Sequence, residues 1–327
     1  MLKSSLFTQP ILVIGAGSIG ERHIRNLWKL GFVNISVFRQ RNLPFRDISN
    51  ARVNTITSWS EVVKMRPFAT IIASPTSFHL NQAIDCASIG SHILIEKPLS
   101  HNLIDLEILK EIVIQNNIFL KVAYMMRFHP LVIKLKNIIT NKELGNLISF
   151  VDKWGDFLPD WHPWEDYKSS YASKKELGGG VALTLSHDID LVNWLVGSNI
   201  SNFYGIKNYK SNLDIEVESG FDLVLKYFNG ITGSVHLNYY EKVPERFIKL
   251  VFDNGSISID FITSKLTIKR PKRNNEIISA YETFDRNDMF LEELKHFFVT
   301  IDSFKIEDSI IQIEESKEII KICNFEK

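Results

Sequence analysis

Apolar and polar positions change rhythm part-way along this chain. Over residues 11–123, short apolar runs alternate with stretches of helical period. The runs fall at 11–14, 34–38, 68–73, 92–95 and 118–123. They are mostly unbroken and partly β-branched, as strands buried on both faces are. Residues 18–31 and 76–89 read as helices, closed by Gly31 and Gly90. Strand and helix in repeated alternation predict an α/β fold with a doubly wound parallel sheet. Ligands of such sheets bind at the carboxyl ends of the strands. Pro75, Lys97 and Tyr124 all fall just past strand ends, so one crevice is expected to gather them.

Near residue 124 the rhythm shifts. Residues 130–141 read as an amphipathic helix. Strand-like runs follow at 147–153, 202–208, 220–227, 232–237, 247–252 and 256–261. Asn229-Gly230 and Asn254-Gly255 are hairpin turn signals. Strands joined by tight turns make an antiparallel sheet. Residues 290–301 and 309–323 read as closing helices. The expected division is a first domain over 1–123 and a second, α+β domain over 124–327, with an open, mostly antiparallel sheet. An uncovered sheet face commonly self-associates, so a homodimer or homotetramer through it is expected.

The first strand runs directly into Gly15-Ala-Gly17-Ser18-Ile19-Gly20. A strand, a G-x-G-x-x-G turn and a helix in that order read as a Rossmann dinucleotide site. Gly15 allows the tight turn, Gly17 lets a pyrophosphate approach, and Gly20 lets helix and strand pack closely. The helix N-terminus at Ser18 and Ile19 offers free N–H groups to phosphates. The bland alternative is an ordinary glycine turn. At the end of the second strand the chain reads Val37-Phe38-Arg39-Gln40-Arg41-Asn42. NAD-selective sites place an acid there, on the ribose hydroxyls. Here two arginines stand instead, and Arg39 can stack on adenine and pair with a 2′-phosphate. NADP(H) is therefore favoured and NAD(H) stays open, since Arg39 could merely stack.

Composition narrows the classes. The 327 residues suggest about two domains. With 38 basic and 38 acidic residues, nothing argues for nucleic acid or an anionic membrane as partner. Cys86 and Cys323 make neither a disulfide framework nor a metal spacing. No signal peptide precedes the first strand and no apolar stretch has membrane-spanning length, so a reducing, cytoplasmic setting is expected.

Two clusters carry candidate chemistry. Glu96-Lys97-Pro98 follows the strand at 92–95. A lysine at a strand end can hydrogen-bond a substrate oxygen; the bland reading is a solvated lysine. The second cluster is Gly178-Gly179-Gly180 followed by a helix bearing His187 and Asp190, three residues apart on one face. A histidine held by a carboxylate can shuttle a proton near neutral pH, or can be a satisfied core residue. Between the clusters lie Trp154, Asp156, Trp161, Trp164, Tyr167 and Tyr171. Their faces suit carbohydrate rings, or plug a core or subunit contact. Arg127 can anchor an anionic substrate group, or can be a buried salt-bridge partner.

Taken together, Gly15–Gly20, Glu96-Lys97-Pro98 and the glycine-rich helix with His187 resemble the glucose–fructose oxidoreductase / inositol dehydrogenase / MocA family. The resemblance covers nearly the whole chain. It implies a Rossmann domain, a second domain with an open sheet, a nicotinamide cofactor, and hydride transfer to or from a sugar-like carbon. Lys97 falls at the family's catalytic lysine and His187 at its catalytic histidine. Ser74, Pro75, Thr76, His79 and Glu96 are expected along the cofactor crevice. Tyr124, Arg127, Trp161, Trp164, Tyr167 and Thr184 are expected on the substrate side with His187. The segments 123–130 and 158–167 look like members that make surface sugars, including amino sugars, nucleotide sugars and nine-carbon, sialic-acid-like ones.

One departure stands out. Family members often carry an aspartate where this chain has Thr184, which cannot hold a negative charge. Asp188 or Asp190 is the substitute orienter for His187. The departure also motivates a second reading, a non-catalytic NAD(P)-binding sensor of the same fold.

Overall fold

The computed structural model describes residues 2–39, 44–48, 53–280 and 284–325. The chain forms two compact units, one of residues 1–124 and 287–320, the other of 125–286 and 321–327.

The first unit opens with β1 (Ile11–Ile14), all four residues buried, and α1 (Ser18–Leu30). β2 (Ile35–Phe38), β3 (Asn54–Ile56), α2 (Trp59–Met65), β4 (Ala69–Ile72) and α3 (Thr76–Ser88) follow. β5 (His92–Glu96), α4 (Leu106–Gln115) and β6 (Leu120–Ala123) complete the alternation. The six strands lie in the order β3-β2-β1-β4-β5-β6, every neighbouring pair parallel. The order reverses beside β1, between β1 and β4. Such a switch point opens a crevice at the carboxyl ends of those two strands. β3, α2 and α4 have no counterpart in the sequence pattern: β3 is three residues long and α2 seven, too short to show a period.

The second unit begins with α5 (Pro130–Thr140) and β7 (Leu147–Phe157). Short turns of 3₁₀-helix occupy much of 158–177. Then come α6 (Val181–Thr184), α7 (Ser186–Val196), β8 (Ile200–Asn208), β9 (Gly220–Tyr227) and β10 (Thr232–Asn238). β11 (Tyr240–Phe252), β12 (Gly255–Asp260), β13 (Lys265–Lys269) and β14 (Glu276–Ser279) finish the sheet. Its eight strands run β14-β13-β12-β11-β7-β10-β9-β8. All pairs are antiparallel except β7 with β10. β9 alternates buried and exposed residues from Phe221 to Tyr227, so one face of the sheet carries the core and the other lies open.

The chain then returns to the first unit, which corrects the single boundary expected at residue 123. α8 (Arg286–Ile301) places Leu294, Phe297, Phe298 and Ile301 in the core that holds Ile11, Val13, Ile24 and Val37. α9 (Ile306–Cys323) ties itself to β6: Ser309 Oγ accepts from Leu120 N at 3.0 Å and donates to Ile118 O at 3.1 Å. The apolar stripe of α8 buries itself against the parallel sheet's layer, and sequence order does not show which layer will receive it. Cys86 and Cys323 are both buried and form no disulfide. No helix among the described residues is long and apolar enough to cross a membrane.

Candidate active site

In the first unit the glycine turn lies at the switch point. Gly15 has φ of +93°, and a Cβ there would stand 2.7 Å from Ala73 O. A Cβ on Gly20 would overlap the carbonyl of Gly15. Gly17 differs: nothing lies within 4 Å of the place its Cβ would take. Two glycines are therefore demanded by the protein's own packing, while the middle one leaves open room. That room adjoins the N-terminus of α1, whose cap, Gly17, supplies no side-chain bond. The amides of Ser18, Ile19 and Gly20 precede the first intrahelical donor, Glu21, which bonds Gly17 O at 2.9 Å. A pyrophosphate needs this combination of space, free donors and a positive dipole end. The residues present fit a dinucleotide.

The end of β2 is braced from α1. The buried Glu21 carboxylate accepts from the amides of Arg46 and Asp47 at 2.8 and 2.7 Å. This holds Phe45 under Arg39, whose guanidinium carbon stands 4.2 Å from the ring centroid. Arg39 is thus stacked by the protein and buried at the strand end. Arg41 and its neighbours 40, 42 and 43 lie outside the described residues.

At the ends of β4 and β5, side chains bind the loops together. Ser74 Oγ donates to Gln82 at 2.6 Å. His79 is buried, with Nδ1 2.8 Å from Pro98 O and Nε2 2.8 Å from Ser74 O. Both ring nitrogens are thus spent on main-chain carbonyls, and a direct cofactor contact through either would have to break one. Thr76, the first residue of α3, is buried. Glu96 binds His23 of α1, Nε2 to Oε1 at 2.9 Å. Burial pushes the Glu96 carboxyl upward, but His23, Lys97 and His79 outweigh it and hold it below its ordinary value. Lys97 is half-buried directly after that carboxylate, and Tyr124 is buried just past β6. His23 had no signal in the sequence, since a histidine in the first turns of a helix reads as surface.

In the second unit, Gly179 and Gly180 donate to the carbonyls of Lys174 and Ala172 at 2.9 and 3.0 Å. The glycine run therefore clips the irregular 158–177 segment to the start of α6. Glu218 Oε1 accepts from Ala182 N at 3.2 Å, capping that short helix. Thr184 and His187 are buried beyond it. The Thr184 hydroxyl neighbours Tyr239, and burial pushes the Tyr239 hydroxyl well above its ordinary range. Trp161 meets the same Tyr239 edge to face, centroids 5.4 Å apart. Tyr239 thus joins Trp161 to Thr184. Sequence reasoning missed it, because a tyrosine between two strands looks like any core aromatic.

Trp164 is 62% exposed and packs only loosely on His162, 5.1 Å between centroids. Tyr167 is half-buried and its hydroxyl accepts from Asp214 N at 3.3 Å. Trp154 carries the Arg246 guanidinium 3.7 Å above its ring, and Asp156 bonds its neighbour's amide at 2.8 Å.

The two acids that follow His187 in α7 are engaged by arginines. Asp190 accepts from Arg127 at 2.5 and 2.9 Å, and Asp188 from Arg246 at 2.7 and 3.2 Å. Orientation of His187 by either acid would compete with a bidentate ion pair. Asp152 of β7 is buried beside Asp188 and Arg246. Burial first, then the Asp188 charge, pushes its carboxyl well above the ordinary range, and Arg246 opposes. No cluster of three or more His, Cys, Asp or Glu among the described residues could hold a metal.

Two family models match this chain. One, an oxidoreductase family with an NAD-binding Rossmann fold, covers residues 10–124; the other, the GFO/IDH/MocA C-terminal domain, covers 132–258. The protein belongs to the GFO/IDH/MocA family. Among its relatives in that family, the scyllo-inositol 2-dehydrogenase (NAD(+)) of Bacillus subtilis is 28% identical over 297 residues, 87% of this chain and 84% of that one. The uncharacterized oxidoreductase YrbE of the same organism is 26% identical over 209 residues, 59% of this chain. The match spans just over half of YrbE's length, 55%. A levoglucosan dehydrogenase in complex with NADH superposes with a TM-score of 0.82 over 97% of this chain and 95% of that one. At 18% identity that likeness is one of fold.

Proposed function

We propose that this GFO/IDH/MocA protein is a nicotinamide-dependent oxidoreductase of a sugar or sugar derivative. The observation that carries the reading is the glycine turn. Gly15 and Gly20 are fixed by close packing, while Gly17 opens onto free helix amides. A nicotinamide cofactor held at the Gly15–Gly20 turn would supply hydride-transfer chemistry. In oxidation the carbinol carbon gives up a hydride and its hydroxyl gives up a proton; reduction reverses both. Lys97 hydrogen-bonds the reacting oxygen, and His187 takes or returns the proton. Relatives named as inositol and levoglucosan dehydrogenases support a polyol or sugar substrate.

Finer features follow from particular residues. Arg39, stacked at the end of β2, favours NADP(H), with NAD(H) as the alternative. The aromatic segment with Trp161, Trp164 and Tyr167 suits an amino sugar, nucleotide sugar or nonulosonate of the kind built into surface glycans. Val151, Val224, Tyr204 and Ile206 are exposed on the second sheet, which supports pairing with a second copy. Light scattering tests this: Val224→Glu should lower the assembly's mass, and a wild-type monomer would remove the idea.

Lys97→Ala decides the reading. It should abolish turnover on a panel of these sugars, followed by NADPH absorbance, while NADPH still binds with nearly unchanged affinity. An unchanged rate would refute the assignment. NADPH that binds wild type tightly yet is never oxidised by any keto-sugar would favour the sensor reading, which the Thr184 departure motivates.

A further inference from the structure

The His79 ring carries more than a packing role. Its two nitrogens each meet a carbonyl oxygen at 2.8 Å, Ser74 O on one side and Pro98 O on the other. A carbonyl oxygen has no proton to give. A neutral imidazole has one N–H and one bare lone pair, so it satisfies only one of these contacts. The other would set two lone pairs against each other in a site closed to water, a costly arrangement. Only the doubly protonated ring donates to both.

We propose that His79 is a buried imidazolium that clasps the loop after β4 to the loop carrying Lys97, and so positions Lys97. The two loops leave adjacent strands of the parallel sheet. Ser74 lies within the first, between β4 and α3, and Lys97-Pro98 begins the second. The inference rests on the catalytic role proposed for Lys97. His79 touches no reacting atom in this scheme and is a positioning residue.

Charges around the ring are accounted for. Burial draws the ring toward neutrality and below its ordinary value, while the two carbonyls and the Glu96 carboxylate pull it toward the cation; Lys97 opposes. The contact geometry decides for the charged ring. Glu96 is itself ionised and held by His23. From α4, which packs on α3, Glu107 pairs with Lys317, Glu111 is exposed and Lys110 pairs with Glu314. The ring's counter-charge is therefore Glu96.

The test uses full-length protein labelled with ¹⁵N-histidine. His79→Gln assigns the signals; should that variant not fold, contacts of the ring protons with Pro98 in wild type assign them instead. The expected result at pH 7 is two protonated nitrogens on one slowly exchanging ring. In His79→Gln, amide exchange at residues 97–100 should rise at least tenfold, and kcat should fall at least tenfold with a smaller change in the KM for NADPH. In wild type, kcat should fall at the pH where the ring loses its second proton. A singly protonated His79 at pH 7 overturns the proposal, and so does a His79→Gln protein whose loop exchange is unchanged. A wild type that binds no nicotinamide would sink the proposed function, yet leave the ring's protonation and the loop exchange to be read as they stand.

Discussion

Arg127 grips Asp190 through two parallel hydrogen bonds, Nε to Oδ2 at 2.9 Å and Nη2 to Oδ1 at 2.5 Å. The Asp190 side chain is 1% exposed and that of Arg127 16%. The pair lies within the second unit and joins the turn before α5 to the helix carrying His187. A guanidinium already committed to a buried carboxylate is a poor free anchor for a substrate anion. Removing it leaves Asp190 ionised and uncompensated, at about 3–5 kcal/mol. Arg127→Ala should therefore lower the thermal midpoint by roughly ten degrees. If Arg127 instead anchors substrate, KM rises and the midpoint holds.

The glycine turn separates packing from binding. Gly17→Ala adds a methyl group that meets nothing in the protein. Its φ is −78°, so the backbone tolerates alanine. The variant should keep its thermal midpoint and lose NADPH affinity at least tenfold, measured by cofactor fluorescence. Gly20→Ala drives a Cβ into the Gly15 carbonyl and should cost both fold and binding. Equal stability in the two variants would contradict the close approach of α1 to β1.

Asp152 makes stability depend on pH. Its carboxyl is raised in the folded state above the ordinary 3.8 by burial and by Asp188. Between those two values the folded chain holds a proton that the unfolded chain has lost. Stability from this group is thus greatest at low pH and declines as pH rises through the raised pKa. Asp152→Asn removes the titration. Melting curves at pH 5 and pH 8 should show the variant gaining on wild type as pH rises; a constant difference would count against a protonated Asp152.

Arg39 carries the proposed preference for NADP(H). Phe45 holds one face of its guanidinium, and the sequence directly after β2, Arg39-Gln40-Arg41-Asn42, has no acid. Arg39→Ala should weaken NADPH more than NADH in titrations of the whole protein. Equal loss for both cofactors would mean that the arginine only stacks.

Much of the fold was legible because its signals are local. Ile11–Ile14 is an unbroken apolar strand followed by a glycine turn, and the same few residues specify strand, turn and helix start. The hairpin turns at Asn229-Gly230 and Asn254-Gly255 fixed antiparallel pairing for the same reason. Short elements such as β3 and α2 escaped, since three to seven residues display no period. At the candidate site, Lys97 and His187 stand out in the sequence as candidates through their motifs. His23, Tyr239 and Arg246 do not, because their importance comes from partners 73, 55 and 58 residues away.

By itself the amino-acid order determined the alternating first domain, the sheet-rich second one, and the residue types offered for chemistry. Tertiary structure alone decided how those residues are spent: Asp188 on Arg246, Asp190 on Arg127, both His79 nitrogens on carbonyls, and α8 on the first unit's core. Hydrophobic period is written in neighbours along the chain. The choice of a buried polar partner is made by desolvation, which acts only once distant segments have closed around it.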